Sequence, residues 1–160
     1  MKASDWDRIQ HFHAGENWGA WEKMSSDFMR TLDTVRHLAD TPFELTAPAW
    51  TSGGHASKSY HYIGRAADFK LPKKTPFEAY DLLVTTLEDM GIYGKVGFGF
   101  YPYGNPKTSL KYAFFHLDDR AMRSVDYKPG AIWVFNTDYI YGAPALTFIK
   151  SIRPKQGVAQ

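Results

Sequence analysis

Apolar residues recur at intervals of three and four from Trp21 through Met24, Phe28, Leu32, Val35 and Ala39. That period predicts an amphipathic helix over residues 21–39. Ser25, Asp27, Arg30, Asp33 and Arg36 fall on its water-facing side in this reading, and Thr41-Pro42 ends it. The stronger helix is predicted over residues 75–90. Thr75 can cap it, Pro76 suits the first helical position and Glu78 stands at capping-box spacing. Phe77, Tyr80, Leu83, Val84, Leu87 and Met90 form its apolar stripe, and Gly91 is its stop signal.

Alternating and short apolar runs predict the strands. These are 43–47, a short buried strand from Ala66 to Phe69 that carries Asp68, 94–101, 110–117, 132–135 and 145–149. In the stretch from Val96 to Phe100, glycine alternates with apolar residues. Two readings fit: a strand approached closely by a ligand or another segment, or a twisted edge strand. Residues 1–20 have no clean period. Phe12 and Trp18 are read as core anchors, and His11 and His13 would share a face if that piece were extended. Residues 48–55 and 102–109 read as loops rimming a groove, 125–128 as a loop or edge, Pro129-Gly130 as a turn, and the tail from Arg153 as frayed.

A length of 160 residues suits a single domain spanning 1–160, and 44% apolar residues with 11 Phe, 10 Tyr and 5 Trp supply a sizeable core. The net charge of +2, from 19 basic and 17 acidic residues, gives no argument for a nucleic-acid partner. The chain has no cysteine, which excludes disulfides and thiolate ligands. No apolar run reaches the length of a membrane span, and Met1 to Trp6 lacks a hydrophobic signal core. The expectation is a soluble protein without a recognisable signal peptide.

The chemistry concentrates in two stretches. Ser59-Tyr60-His61-Tyr62-Ile63-Gly64-Arg65-Ala66-Ala67-Asp68 offers an imidazole and a carboxylate, and Phe114-Phe115-His116-Leu117-Asp118-Asp119-Arg120 adds a second imidazole. Two histidines and a carboxylate suit zinc with a position left for water. A carboxylate on a buried strand needs a hydrogen-bonding or metal partner. On a regular strand His116 and Asp118 share a face, while Asp119 points away and is read as pairing with Arg120 or Arg123.

The first stretch, Ser-x-His-x-x-Gly-x-Ala-x-Asp, resembles the motif of the M15-type zinc peptidases. That group holds D-Ala-D-Ala carboxypeptidases and phage L-Ala-D-Glu endopeptidases, and the hedgehog signalling domain shares its metal site. Phe-Phe-His-Leu-Asp-Asp-Arg resembles the group's second-histidine segment. The likeness runs from about residue 10 to 120.

The resemblance implies an α+β, hedgehog/DD-peptidase-like fold. It would have a small, mainly antiparallel sheet, helices packed on one face, and a metal cleft on the other. It implies Zn2+ held by His61, Asp68 and His116, although nickel, cobalt or iron suit the same ligands. Zinc would lower the pKa of a water that attacks amide bonds in peptidoglycan peptide stems. Such an enzyme would act on the bacterial cell wall, as a phage endolysin or a wall-remodelling enzyme, and as a monomer. His55, Tyr60, Tyr62, Tyr101 and Arg120 are the candidate substrate contacts, with Trp50 and Tyr103 near the same cleft. Two departures stand out. Relatives often carry an arginine where this chain has Pro48-Ala49-Trp50, and a Glu or Asp base where it has Ala113. Asp118 is the replacement candidate, either as the catalytic base or as the group that orients His116. The alternative is a catalytically inactive, metal-containing binding or structural protein with a hedgehog-like site.

Overall fold

In a computed structural model, which describes residues 1–47, 55, 57–107, 110–120 and 131–154, the chain is α+β. Helices α1 (Ser26–Ala39), α2 (Pro76–Asp89) and α3 (Ala143–Ile152) accompany strands β1 (Glu44–Ala47), β2 (Ala66–Lys70), β3 (Gly97–Tyr101), β4 (Phe114–Asp118), β5 (Ile132–Phe135) and β6 (Tyr139–Tyr141). The sheet order is β1-β2-β4-β3-β5-β6. Every neighbouring pair is antiparallel except β3 with β5.

The capping signals act as predicted at α2. Thr75 Oγ1 accepts from the Glu78 backbone N–H, and Glu78 in turn accepts from the Thr75 N–H. At α1 the start is later than the apolar period implies. Trp21–Lys23 is a 3-10 turn, and Ser25 is no water-facing helical residue but the N-cap, accepting from Phe28 N–H. Asp33 is a second correction. It is buried, because its carboxylate accepts the backbone N–H groups of Gln10 and His11.

The predicted strand over 145–149 is a helix. Gly142 and Pro144 suit a helix entry, and Ala145 and Ile149, four apart, turn to the same buried side. A five-residue apolar run fits both periods, so only the packing partner decides. The strands predicted over 94–101 and 110–117 are shorter, starting at Gly97 and Phe114. Strand β6 was not predicted. Residues 48–54 of the loop expected over 48–55, the loop or edge at 125–128 and the Pro129-Gly130 turn, with Trp50 and Arg123, lie outside the described residues.

Alternation splits the sheet into two faces. Ala67, Phe69, Phe98, Phe100, Phe115, Leu117 and Val134 join the main core with Phe28, Leu32 and Val35 of α1, Leu83 and Leu87 of α2, and Ile149 of α3. Phe115 is the centre of an aromatic cluster, with Phe100, Phe98 and Phe69 ring centroids 5.1, 6.1 and 6.3 Å away. Phe12 and Trp18 are buried in this core as expected. The neighbours of these strand residues, Asp68, Gly97, Gly99, His116, Asp118 and Trp133, turn to the opposite face.

Strand β3 lies between β4 and β5, so the edge reading of its glycines is overturned. A Cβ at Gly97 would stand 2.4 Å from Asp118 Oδ2, and one at Gly99 would stand 2.4 Å from Cε2 of Trp133. The glycines admit neighbouring side chains across the strand. Gly99→Ala is expected to push Trp133 off His116 and to cost about 1–3 kcal/mol through overpacking. Chemical denaturation checks this, and an unchanged midpoint would mean the tryptophan has room to move.

Candidate metal centre

The three candidate ligands are delivered by two local devices, a capped turn and a pair of strands. Ser59 Oγ accepts from His61 N–H and starts the short 3-10 turn Tyr60–Ile63, which turns His61 inward. Gly64 closes that turn at φ 66°, where a side chain is strained, and a Cβ would lie 2.1 Å from the Lys23 carbonyl oxygen. The chain then enters β2. There the register sets Asp68 opposite His116, and His116 opposite Gly99 on the other side.

The three polar atoms converge. His116 Nδ1 is 2.8 Å from Asp68 Oδ1, His61 Nε2 is 3.1 Å from His116 Nδ1, and His61 Nε2 is 3.3 Å from Asp68 Oδ1. Ligand atoms about 2.0–2.1 Å from one zinc ion are separated by about 3.3–3.4 Å at the tetrahedral angle. The trio is therefore slightly tighter than a loaded site and needs only small shifts. All three residues are buried, and together they can hold a metal ion.

Beyond these three, Asp118 is fully buried. His116 Nε2 donates to its Oδ2 at 2.9 Å, and Arg120 donates Nε–H to its Oδ1 at 2.8 Å and its backbone N–H at 3.0 Å. The Arg120 guanidinium sits 5.3 Å from the ring centres of both Tyr60 and Trp133. Burial opposes charge on Asp118, but Arg120 and His116 outweigh it and hold its carboxyl well below the usual range. Burial likewise opposes the Asp68 charge, and His61 and His116 outweigh it in the same direction. For His116, burial disfavours the imidazolium, yet Asp118 and Asp68 push its pKa up to about 9 in the metal-free protein. Its Nδ1 lone pair is available only when that proton leaves, which is what a bound cation enforces.

The other predicted residues divide. The His55 ring stacks on His61 at 4.1 Å and 9°, and its Nε2 is buried with no hydrogen-bond partner among the described residues. Burial, then the neighbouring His61, pushes its pKa down to about 4, so it is neutral at ordinary pH. Tyr62 holds His55 in place, its hydroxyl donating to the His55 carbonyl and accepting from the His55 N–H, each at 3.1 Å. Tyr60 lies beside the guanidinium groups of Arg65 and Arg120. Tyr101 does not line an open cleft. It is buried, stacked on Phe114 at 4.1 Å, and its hydroxyl accepts from Trp133 Nε1–H at 3.2 Å. Asp119 pairs with Arg65 at 2.7 Å, while Arg120 pairs with Asp118; Arg123 lies outside the described residues. Ala113 borders a cavity of about 250 Å³ with Lys70, Lys74 and Phe115, and His61, Asp68 and His116 are not among its lining residues. Trp133, 5.0 Å from His116 between ring centres, was not singled out from the sequence. Its only signal there was a tryptophan within an apolar run.

Compared with known protein families, curated proteins and solved structures, the chain matches none of them. No helix among the described residues is long and apolar enough to cross a membrane.

Proposed function

We propose that the chain is a zinc-dependent peptidase that hydrolyses amide bonds in peptidoglycan peptide stems, acting as a monomer on the bacterial cell wall. The observation that carries this reading is the convergence of His61 Nε2, Asp68 Oδ1 and His116 Nδ1, which stand 2.8, 3.1 and 3.3 Å apart. The substrate class comes from the resemblance of the two motifs to the M15-type peptidases. Zinc in that site supplies Lewis acidity and a water acidic enough to be a nucleophile at neutral pH.

The protein's own groups have separable tasks. Asp118 accepts the Nε2–H of His116, which fixes the tautomer and leaves Nδ1 for the ion. Arg120 neutralises and holds Asp118. This geometry favours the orienting role for Asp118 over the base, since its carboxylate lies at the ring nitrogen remote from Asp68 and is already committed twice. Neutral His55, its Nε2 beside His61 and unpartnered among the described residues, is the residue best suited to hydrogen-bond the substrate carbonyl. Asp118→Asn is accordingly expected to weaken zinc affinity by about 10–100-fold. Titration against a competing chelator reads this, whereas unchanged affinity with lost turnover would make Asp118 the base.

A second reading is favoured by Ala113, which puts no proton-transfer group at the position where relatives carry a Glu or Asp. In that reading the chain keeps the metal and lacks turnover. Metal analysis of protein purified without added zinc, followed by assay of new amino groups from purified peptidoglycan, separates the two. Metal with amino-group release supports the peptidase. Metal without release supports the inactive binding protein, and absence of metal removes both.

A further inference from the structure

Among the described residues, metal-ligating side chains also meet where the N-terminal segment lies against α1. His11 Nε2 and His37 Nδ1 lie 3.0 Å apart, with ring centroids 5.1 Å apart and planes inclined by 31°. We propose that this pair is a second metal site, open to water, for a borderline divalent ion such as Zn2+, Ni2+ or Cu2+. Two nitrogens bound at about 2.0–2.1 Å are separated by about 2.9 Å at a right angle and about 3.4 Å at the tetrahedral angle. The observed spacing falls inside that interval. Imidazole suits these ions, copper most tightly.

The pair is built from behind. Asp33 of α1 accepts the backbone N–H groups of Gln10 and His11 at 3.0 and 2.8 Å. His37 follows Asp33 by four residues and so stands on the same side of the helix. The helix that grips the backbone at His11 thus presents a second imidazole to its ring. His37 also lies in the last turn of α1, where unpaired carbonyls favour a cation. His11 is half-buried and His37 exposed, which leaves room for waters to complete the coordination. His13, the sequence-level companion of His11, lies instead by Glu16. A bound ion would clip the N-terminal segment, which carries Phe12 and Trp18, onto α1.

The site does not depend on the proposed peptidase chemistry, and its test is residue-specific. Chelator-treated full chain is titrated with zinc chloride while imidazole 15N signals and bound stoichiometry are followed. The expected result is movement of the His11 and His37 signals and a second equivalent of zinc, weaker than any bound at His61. In His37→Gln or His11→Gln that second equivalent is expected to bind at least about tenfold more weakly. Asp33 holds the backbone at His11 and not its ring, so circular dichroism should be unchanged in both variants. The proposal is overturned if the two signals stay still up to millimolar zinc, which would leave only a ring-to-ring hydrogen bond. It is equally overturned if the second equivalent survives both substitutions.

Discussion

His61→Ala is expected to lower zinc affinity sharply and to reduce amide hydrolysis by about 10³-fold or more. The size follows from the several kcal/mol that metal polarisation contributes to a hydrolytic transition state, at 1.36 kcal/mol per tenfold in rate. His61 is the informative ligand to remove because it stands on the 3-10 turn and not on the sheet. Its loss leaves the β2–β4 pairing and the Asp118–Arg120 pair untouched. A catalytic defect with a preserved far-ultraviolet spectrum would then report on the site alone. Wild-type protein stripped with a chelator should lose turnover to the same extent and recover it with zinc, while the variant should not recover. Equal amino-group release by wild type and variant would exclude hydrolysis at this centre.

Phe115→Ala should have the largest effect on stability. Its ring is 1% exposed and is surrounded by Phe69, Phe98 and Phe100. Truncating a buried phenylalanine costs about 3–5 kcal/mol, through lost transfer energy and the cavity left behind. A domain of this size has only about 5–15 kcal/mol in total. The midpoint of thermal unfolding should fall by about 6–20 °C, given about 2–4 °C per kcal/mol for chains of this length. The comparison belongs in chelator, because a metal bound only to the native state would mask the loss. His116 is the next residue on the same strand, so zinc affinity should weaken as well. A change under about 1 kcal/mol would contradict the close packing described for the helix-facing side.

Much of the local structure was legible. The Thr75-Pro76-Glu78 signal marked the start of α2, and alternation put His116 and Asp118 on one face. Each of these depends on groups within a few residues. Where the period was short or the partner distant, the reading failed. Residues 145–149 fit strand and helix alike until β5 and the core chose the helix. Asp33 looked wet because the two N–H groups that bury it come from 22 and 23 residues away. The glycines of β3 were open to two readings because Asp118 and Trp133, which need the space, belong to other strands.

The sequence by itself determined which chemical groups exist and that Asp68 and His116 stand on strands with one apolar face; the capped turn that aims His61 inward came from the structure. Capping hydrogen bonds and side-chain alternation act over a few residues, so they are written in the chain. Only the tertiary structure decided that the three groups share one point, because that depends on how β2 is registered against β4. Register is chosen by burying the phenylalanine face under the helices. A slip of one residue would turn Asp68 into that core and leave the histidines without it.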